Sequence, residues 1–252
     1  MQLEGKVIAI VGGTSGIGRA LSIGLAGEGA EIFTGSRSLD KVEDTVAAVQ
    51  EAGGTAHGHV LDVMDPASIE AFARFVHETA GRVDGLVNCA GVTSRTPSTE
   101  VKIEDWDRVL DINLRGTFLS CQAFARLMIP QGYGRIVNIG SMGAFASLSS
   151  VAAYCASKGG VQMLSKALAC EWAQFGIAVN TLHPGFFITE LNREAISPGT
   201  ERRTLIASGT PMGRVGEVEE LVGAAAFLLS DSASYVTGSD LVVDGGFLAH
   251  GI

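Results

Sequence analysis

The chain has 252 residues, 46% of them hydrophobic and 18% charged, with a formal net charge of -9 and 33 glycines. That length and apolar share allow one substantial core and exclude a disordered or fibrous chain. The acidic balance opposes docking to nucleic acid or an anionic membrane, and no apolar run has the length of a bilayer span.

From the N-terminus, short β-branched runs alternate with stretches of helical periodicity. "KVIAIV" reads as a strand, Gly18 to Ala26 as a helix, "EIFTGS" as a strand and Leu39 to Glu51 as a helix. "AHGHVLDV" is a third strand, Pro66 to Ala80 a helix and "VDGLVNCAG" a fourth strand. A long helix is expected from Val101 to Met128, then the strand "GRIVNIGS", a helix from Val151 to Phe175 and the strand "IAVNTLHPG". A helix from Val218 to Leu229 and a last strand, "SDLVVDGG", complete the pattern. Such alternation predicts one α/β domain over residues 1–252, doubly wound in the Rossmann manner, with about seven parallel strands and helices on both faces.

Thr189 to Met212 breaks the rhythm. It is polar and follows a strand's carboxyl end, so it is expected to be either a substrate lid or an ordinary surface loop with one helix. The opening "MQLEGKVIAIVGG" does not read as a secretory leader, and a soluble cytoplasmic protein acting on a small molecule is expected. Cys89, Cys121, Cys155 and Cys170 lie in apolar segments without a C-x-x-C pair, as reduced thiols in or near the core. His57 and His59 share a strand face but have no third ligand in reach, and no metal site is expected.

"VGGTSGIGRA" joins the first strand to the first helix, with Gly12, Gly16 and Gly18 spaced G-x-x-x-G-x-G. Glycines in such a turn leave backbone N–H groups free for a phosphate at the helix N-terminus, although they also serve close packing alone. The second strand ends in Ser36, followed by Arg37, where an NAD-selective site would carry a carboxylate for the ribose hydroxyl. A hydroxyl and a guanidinium suit a 2'-phosphate, so NADP is expected over NAD. Asp62 is either an acceptor for an adenine amino group or a turn aspartate. Asn88, Ala90 and Gly91 lie at the end of the fourth strand, where small residues let a cofactor lie across the sheet edge.

Tyr154 and Lys158 are four residues apart on the predicted 151–175 helix, and Ser141 ends the strand before it. Residues at i and i+4 are neighbours, and an ammonium there is expected to pull the phenol's pKa down toward use as an acid or base. Ser141 would donate to an oxygen that gains negative charge. The same spacing also fits a buried aromatic beside a snorkelling lysine. Asn113, inside the long helix, is a poor helix former there and implies either a cap or kink or a polar role facing the site.

The ordered set "GGTSGIG", "NCAG", "INLRG", "NIGSM", "YCASK", "HPGFFITE" and "VDGG" resembles the short-chain dehydrogenase/reductase family over nearly the whole chain. The resemblance implies that Ser141 orients a carbonyl and that Tyr154 is the acid or base. It further implies that Lys158 binds the nicotinamide ribose and that Asn113 holds a relay water. Cofactor contacts are implied at Gly12, Ser15, Gly16, Ile17, Gly18, Asp62, Val63, Asn88, Ala90, Gly91, Tyr154 and Lys158. Pro184, Gly185, Phe187 and Thr189 would meet the nicotinamide half. Val11 and Cys89 depart from the family's usual threonine and second asparagine. Within the family the chain looks most like gluconate 5-dehydrogenase and related sugar-acid or polyol enzymes, with 3-oxoacyl carrier-protein reductases next and an NADP(H)-sensing protein as a third reading. Arg95 would hold a substrate carboxylate beside Ser141 and Tyr154, or be a solvated loop arginine. Arg202 and Arg203 would face an acidic carrier protein. A homotetramer is implied by the family and is compatible with the apolar helix faces.

Overall fold

Val7–Val11 (β1) is buried at all five positions, the signature of a strand covered on both faces. In the computed structural model, which describes residues 1–189, 192–194 and 196–250, it is central to a seven-stranded sheet. Glu190, Leu191 and Ala195 of the expected lid segment lie outside the described residues. The chain runs through α1 (Gly16–Gly27), β2 (Glu31–Ser36), α2 (Leu39–Glu51), β3 (Thr55–Val60), α3 (Pro66–Ala80) and β4 (Gly85–Asn88). It continues with α4 (Ile103–Leu110), α5 (Gly116–Gln131), β5 (Gly134–Ile139), α6 (Ala152–Trp172) and β6 (Ile177–Pro184). The last elements are β7 (Phe187–Ile188), α7 (Glu201–Ser208), β8 (Gly216–Glu217), α8 (Val222–Leu229) and β9 (Asp240–Val243).

All seven strands of the main sheet are parallel, in the order β3-β2-β1-β4-β5-β6-β9. Parallel pairing requires crossovers, and the helices that make them cover both faces. Phe33, Phe72, Phe124, Met128 and Trp172 fill one face, with α3, α5 and α6. Leu21, Leu25, Val137, Leu182 and Leu228 fill the other, with α1 and α8. Each fully buried side chain of this size contributes on the order of 1.5–3 kcal/mol. The order reverses between β1 and β4, which opens a crevice at the carboxyl ends of those strands.

Four features differ from the sequence reading. β3 ends at Val60, because Asp62 Oδ1 accepts the Met64 N–H and turns the chain before α3. Asp62 and Val63 therefore sit in a loop beyond the strand. The expected helix from 101 to 128 is two α-helices joined by a π-helical turn, Asp111–Arg115. Phe187–Ile188 and Gly216–Glu217 form a small two-stranded sheet that flanks the 189–212 segment, and α7 is the helix inside it. Cys170 is exposed and so is no core thiol; Cys121 is buried, and Cys89 and Cys155 are partly so, all four free.

His57 Nε2 meets Glu31 Oε1 at 2.8 Å, and the described residues hold no cluster of three potential metal ligands. No described helix is long and apolar enough to cross a membrane.

Candidate active site

The floor of the crevice is backbone packed on backbone. Val11 O accepts the N–H groups of both Cys89 and Ala90 at 2.8 and 2.9 Å, carrying the β1–β4 contact past the ladder. Gly12 has φ +80°, and a Cβ there would strike the Ala90 backbone. A Cβ on Gly18 would strike the Gly12 carbonyl oxygen, so this turn admits glycine at both places. Ser15 is the N-cap of α1, yet its side chain makes no capping hydrogen bond and the first helical turn holds no acidic residue. Open N–H groups at the positive end of a twelve-residue helix form a seat for a phosphate. Across the crevice, Thr189 Cγ2 is 3.3 Å from the point where a Gly16 side chain would begin. Gly16 and Thr189 thus form two facing lips, while Ile17 packs, partly buried, against the core.

At the end of β2, Thr14 Oγ1 donates to Ser36 Oγ at 2.7 Å, and Arg37 is exposed beside it. No carboxylate stands at this position. Asp62 performs the turn role described above. Asn88 is buried, and its amide donates to Asn138 Oδ1 at 2.8 Å and to Cys121 Sγ at 3.2 Å. Its side chain therefore braces β4 against β5 and α5 from inside the sheet, while Ala90 and Gly91 form the surface of the crevice.

The π turn places Asn113 fully out of solvent. Its Oδ1 accepts the Val92 N–H at 2.8 Å, and its Nδ2 donates to Val92 O at 2.9 Å and to Ser157 Oγ at 3.0 Å. Both ends of the amide are committed, tying the loop after β4 to α6. The wider turn accounts for an asparagine in mid-helix on the kink side of the two alternatives, with the amide bracing the loop after β4 against α6.

Ser141 and Tyr154 meet beside Gly143, and Lys158 Nζ lies 3.7 Å from the point where a Gly91 side chain would begin. Lys158 is buried, and Nζ donates to Ile139 O at 2.7 Å. Burial pulls its ammonium down to about 8, with Cys89 opposing weakly. Tyr154 is partly buried, and burial raises its phenol above the usual 10.0, opposed by a hydrogen bond with Ser141. Lys158 Nζ lies 5.9 Å from the centre of the Tyr154 ring. The expected lowering of the phenol by this lysine is thus overturned: desolvation dominates both groups and pushes each toward its neutral form. Ser141 Oγ also accepts the Gly143 N–H at 3.0 Å, fixing the turn after β5.

Pro184 and Gly185 lie at the end of β6, and a Cβ on Gly185 would strike Asp244. Phe187 is buried, with its ring against Gly216. Asn192 clamps the backbone there: its Nδ2 donates to Phe187 O and its Oδ1 accepts the Thr189 N–H, both at 2.8 Å. Beyond Gly185 a cavity of about 370 Å³ lies among Phe186, Met212, Arg214 and Gly245 and includes none of Ser141, Tyr154 or Lys158. Arg95 is exposed, and the next residue, Thr96, donates its N–H to Ser150 O at 2.8 Å. That bond ties the Arg95 loop to the residues leading into α6.

Residues 11–248 match the family model described as enoyl-(acyl carrier protein) reductase. The chain belongs to the short-chain dehydrogenase/reductase family. It is 42% identical to the D-threitol dehydrogenase of Mycolicibacterium smegmatis over 98% of this chain and 94% of that one. It is 38% identical to the 3-oxoacyl-[acyl-carrier-protein] reductase of Escherichia coli over 98% of each. The crystal structure of a gluconate 5-dehydrogenase from Burkholderia cenocepacia in complex with NADP and tartrate superposes with a TM-score of 0.94 at 38% identity, covering 99% of this chain and 98% of that one. The protein is accordingly an oxidoreductase of alcohol and ketone groups.

Sequence reasoning passed over three residues of this site: Asn192, His183 and Asp240. The signal for His183 was present, since an imidazole within the wholly buried run "IAVNTLHP" requires a polar partner. Its partner, Asp240, is 57 positions away and is placed beside it only by the pairing of β6 with β9.

Proposed function

We propose that this protein is an NADP(H)-dependent dehydrogenase that interconverts a secondary alcohol and a ketone in a sugar acid or polyol. The observation that carries the reading is the meeting of Ser141, Tyr154 and Lys158 beside a glycine cradle in one crevice. The residues present fit a dinucleotide: Gly12 and Gly18 leave a cradle that Cβ atoms would fill, and the first turn of α1 is open to a phosphate. Gly12, Ser15, Gly16, Ile17 and Gly18 would hold the diphosphate, Ser36 and Arg37 the 2'-phosphate, and Asp62 and Val63 the adenine end. Asn88, Ala90 and Gly91 would support the ribose side, and Pro184, Gly185, Phe187 and Thr189 the nicotinamide end. When bound, NADP(H) supplies or accepts the hydride.

Tyr154 gives a proton to the substrate oxygen during reduction and takes one from it during oxidation. A phenol raised by burial is a ready donor at neutral pH, whereas oxidation needs the phenolate. Lys158, in its ammonium form, binds the ribose. Ser141 donates to the oxygen on which charge develops. Asn113, through Val92 and Ser157, holds these groups in register and positions a relay water. Arg95 pairs with a substrate carboxylate, and residues 189–212 close over the substrate as a lid.

The threitol dehydrogenase and the gluconate 5-dehydrogenase complex support the substrate class and the cofactor. The carrier-protein reductase reading rests on the Escherichia coli relative. Of its two candidate cations, Arg203 bonds to Ile196 O within its own segment, and Arg202 is exposed. We also propose a cytoplasmic homotetramer, supported by Ile103, Phe118 and Met163 remaining exposed on α4, α5 and α6. The deciding experiment assays sugar acids, polyols and 3-oxoacyl thioesters with NADP and NAD, using wild type and Tyr154→Phe. Turnover of a sugar acid or polyol with NADP, lost in Tyr154→Phe while cofactor binding persists, is the expected result. Retained turnover in the variant refutes the acid–base assignment, and a wild type that binds NADP without turnover points to the sensing protein.

A further inference from the structure

At the Ser141 backbone begins a polar chain, buried at His183 and reaching solvent at Lys166, that the proposed chemistry does not use. His183, on β6, has no solvent exposure. Its Nε2 meets Asp240 Oδ1 at 2.9 Å, and its Nδ1 lies 3.2 Å from Ser141 N and 2.9 Å from Ser141 O. Asp240 Oδ2 in turn accepts from Lys166 Nζ at 2.8 Å and from Gln162 Nε2 at 2.9 Å. Lys158, Gln162 and Lys166 follow one another at four-residue spacing, so the same face of α6 carries the site lysine and the two anchors of Asp240.

The surroundings leave the imidazole little freedom. Gly140 lies so close that a Cβ there would strike the ring nitrogen. The Phe145 ring stands edge-on to the imidazole, with centroids 4.7 Å apart. A carboxylate at Nε2 selects the tautomer protonated there, which leaves Nδ1 to accept the Ser141 N–H. A second proton on the ring would be donated from Nδ1 to the Ser141 carbonyl instead, so either form grips the same residue.

We propose that His183, oriented by Asp240, is a positioning residue for Ser141. It holds the Ser141 backbone so that Oγ points at Tyr154 and at the substrate oxygen. Without that grip the Ser141 backbone keeps the Ala144 N–H on its carbonyl at 3.0 Å and the strand before it, Oγ keeps the Gly143 N–H and Tyr154, and the looser backbone lets Oγ drift from the reacting oxygen. The proposal rests on the alcohol–ketone reading of this site.

The test compares His183→Phe, which keeps a ring but no nitrogen, with His183→Asn, which keeps an acceptor near the Nδ1 position, and with Asp240→Asn. A misaimed donor costs about tenfold or more in kcat, so His183→Phe is expected to lose about that much while the Kd for NADP and the KM for alcohol change less than about twofold. His183→Asn recovers most of kcat, and Asp240→Asn shows a smaller loss of the same kind. In a Ser141→Ala background neither His183→Phe nor Asp240→Asn reduces kcat further, because the group they position is gone. A readout independent of turnover is the phenolate absorbance of cofactor-free protein, taken as the difference from Tyr154→Phe. It moves to higher pH in His183→Phe, since the drifting Ser141 supports the phenolate less.

The proposal is overturned if His183→Phe and Asp240→Asn leave both kcat and the Tyr154 titration unchanged, or if their losses persist undiminished without the Ser141 hydroxyl. Should His183→Phe not fold, Asp240→Asn decides on both readouts. An inactive wild type would instead refute the alcohol–ketone reading, and the titration would still judge the role of His183.

Discussion

Replacing Lys158 by methionine is expected to stabilise the cofactor-free protein while abolishing its activity. Burial pulls the Lys158 ammonium from 10.5 to about 8. A difference of that size between native and unfolded chains corresponds to about 3 kcal/mol of native-state cost below the lower value. Methionine is close in length, carries no charge and removes that cost. It also leaves Ile139 O without the donor now 2.7 Å away, a penalty of roughly 1–2 kcal/mol. The net gain near pH 7 is then about 1–2 kcal/mol, a rise in Tm of roughly 3–6 °C for a domain this large. The sign depends on pH. Between about 8 and 10.5 the unfolded chain keeps a proton that the native chain has released, so wild type gains stability as pH rises through that window. The methionine variant has nothing to titrate there, and its advantage fades and reverses above about pH 10. Urea unfolding of both proteins at a series of pH values, read as the difference between them, cancels every other group. A variant less stable than wild type near pH 7, or a difference independent of pH, would refute the balance of burial over hydrogen bonding argued for this lysine.

Asn113→Ala strands the Val92 N–H and carbonyl together, and a loss of about 2–4 kcal/mol in urea unfolding is expected, with kcat falling as the loop after β4 loosens. Ser36→Asp keeps an acceptor for Thr14 but sets a carboxylate where the 2'-phosphate would lie. The ratio of kcat/KM for NADP to that for NAD is expected to fall on the order of tenfold to a hundredfold, and an unchanged ratio would remove Ser36 from the cofactor site. Arg95→Ala is expected to raise the KM for a sugar acid about tenfold or more while leaving a neutral polyol unaffected; equal effects on both would make Arg95 a plain loop residue.

The alternation of apolar strands and amphipathic helices was written in the chain because each parallel strand must be hydrophobic on both faces and each crossover helix on one. Local spacing likewise announced the Gly12–Gly18 turn and placed Tyr154 one helical turn from Lys158. Tertiary structure decided what spacing cannot carry. The balance of desolvation against charge at Tyr154 and Lys158 depends on what surrounds them, and burial reversed the expected lowering of the phenol. The π turn that fixes Asn113 arises because its amide finds Val92 and Ser157, partners 21 and 44 positions away. The Phe187 ring proved to be core, because β7 packs it on Gly216. The grip of His183 and Asp240 on Ser141 exists only where β5, β6 and β9 lie side by side. Periodicity is a property of neighbours along the chain, whereas solvent exclusion and hydrogen-bond partnership are properties of neighbours in space. The first could therefore be read directly from the sequence, and the second had to await the fold.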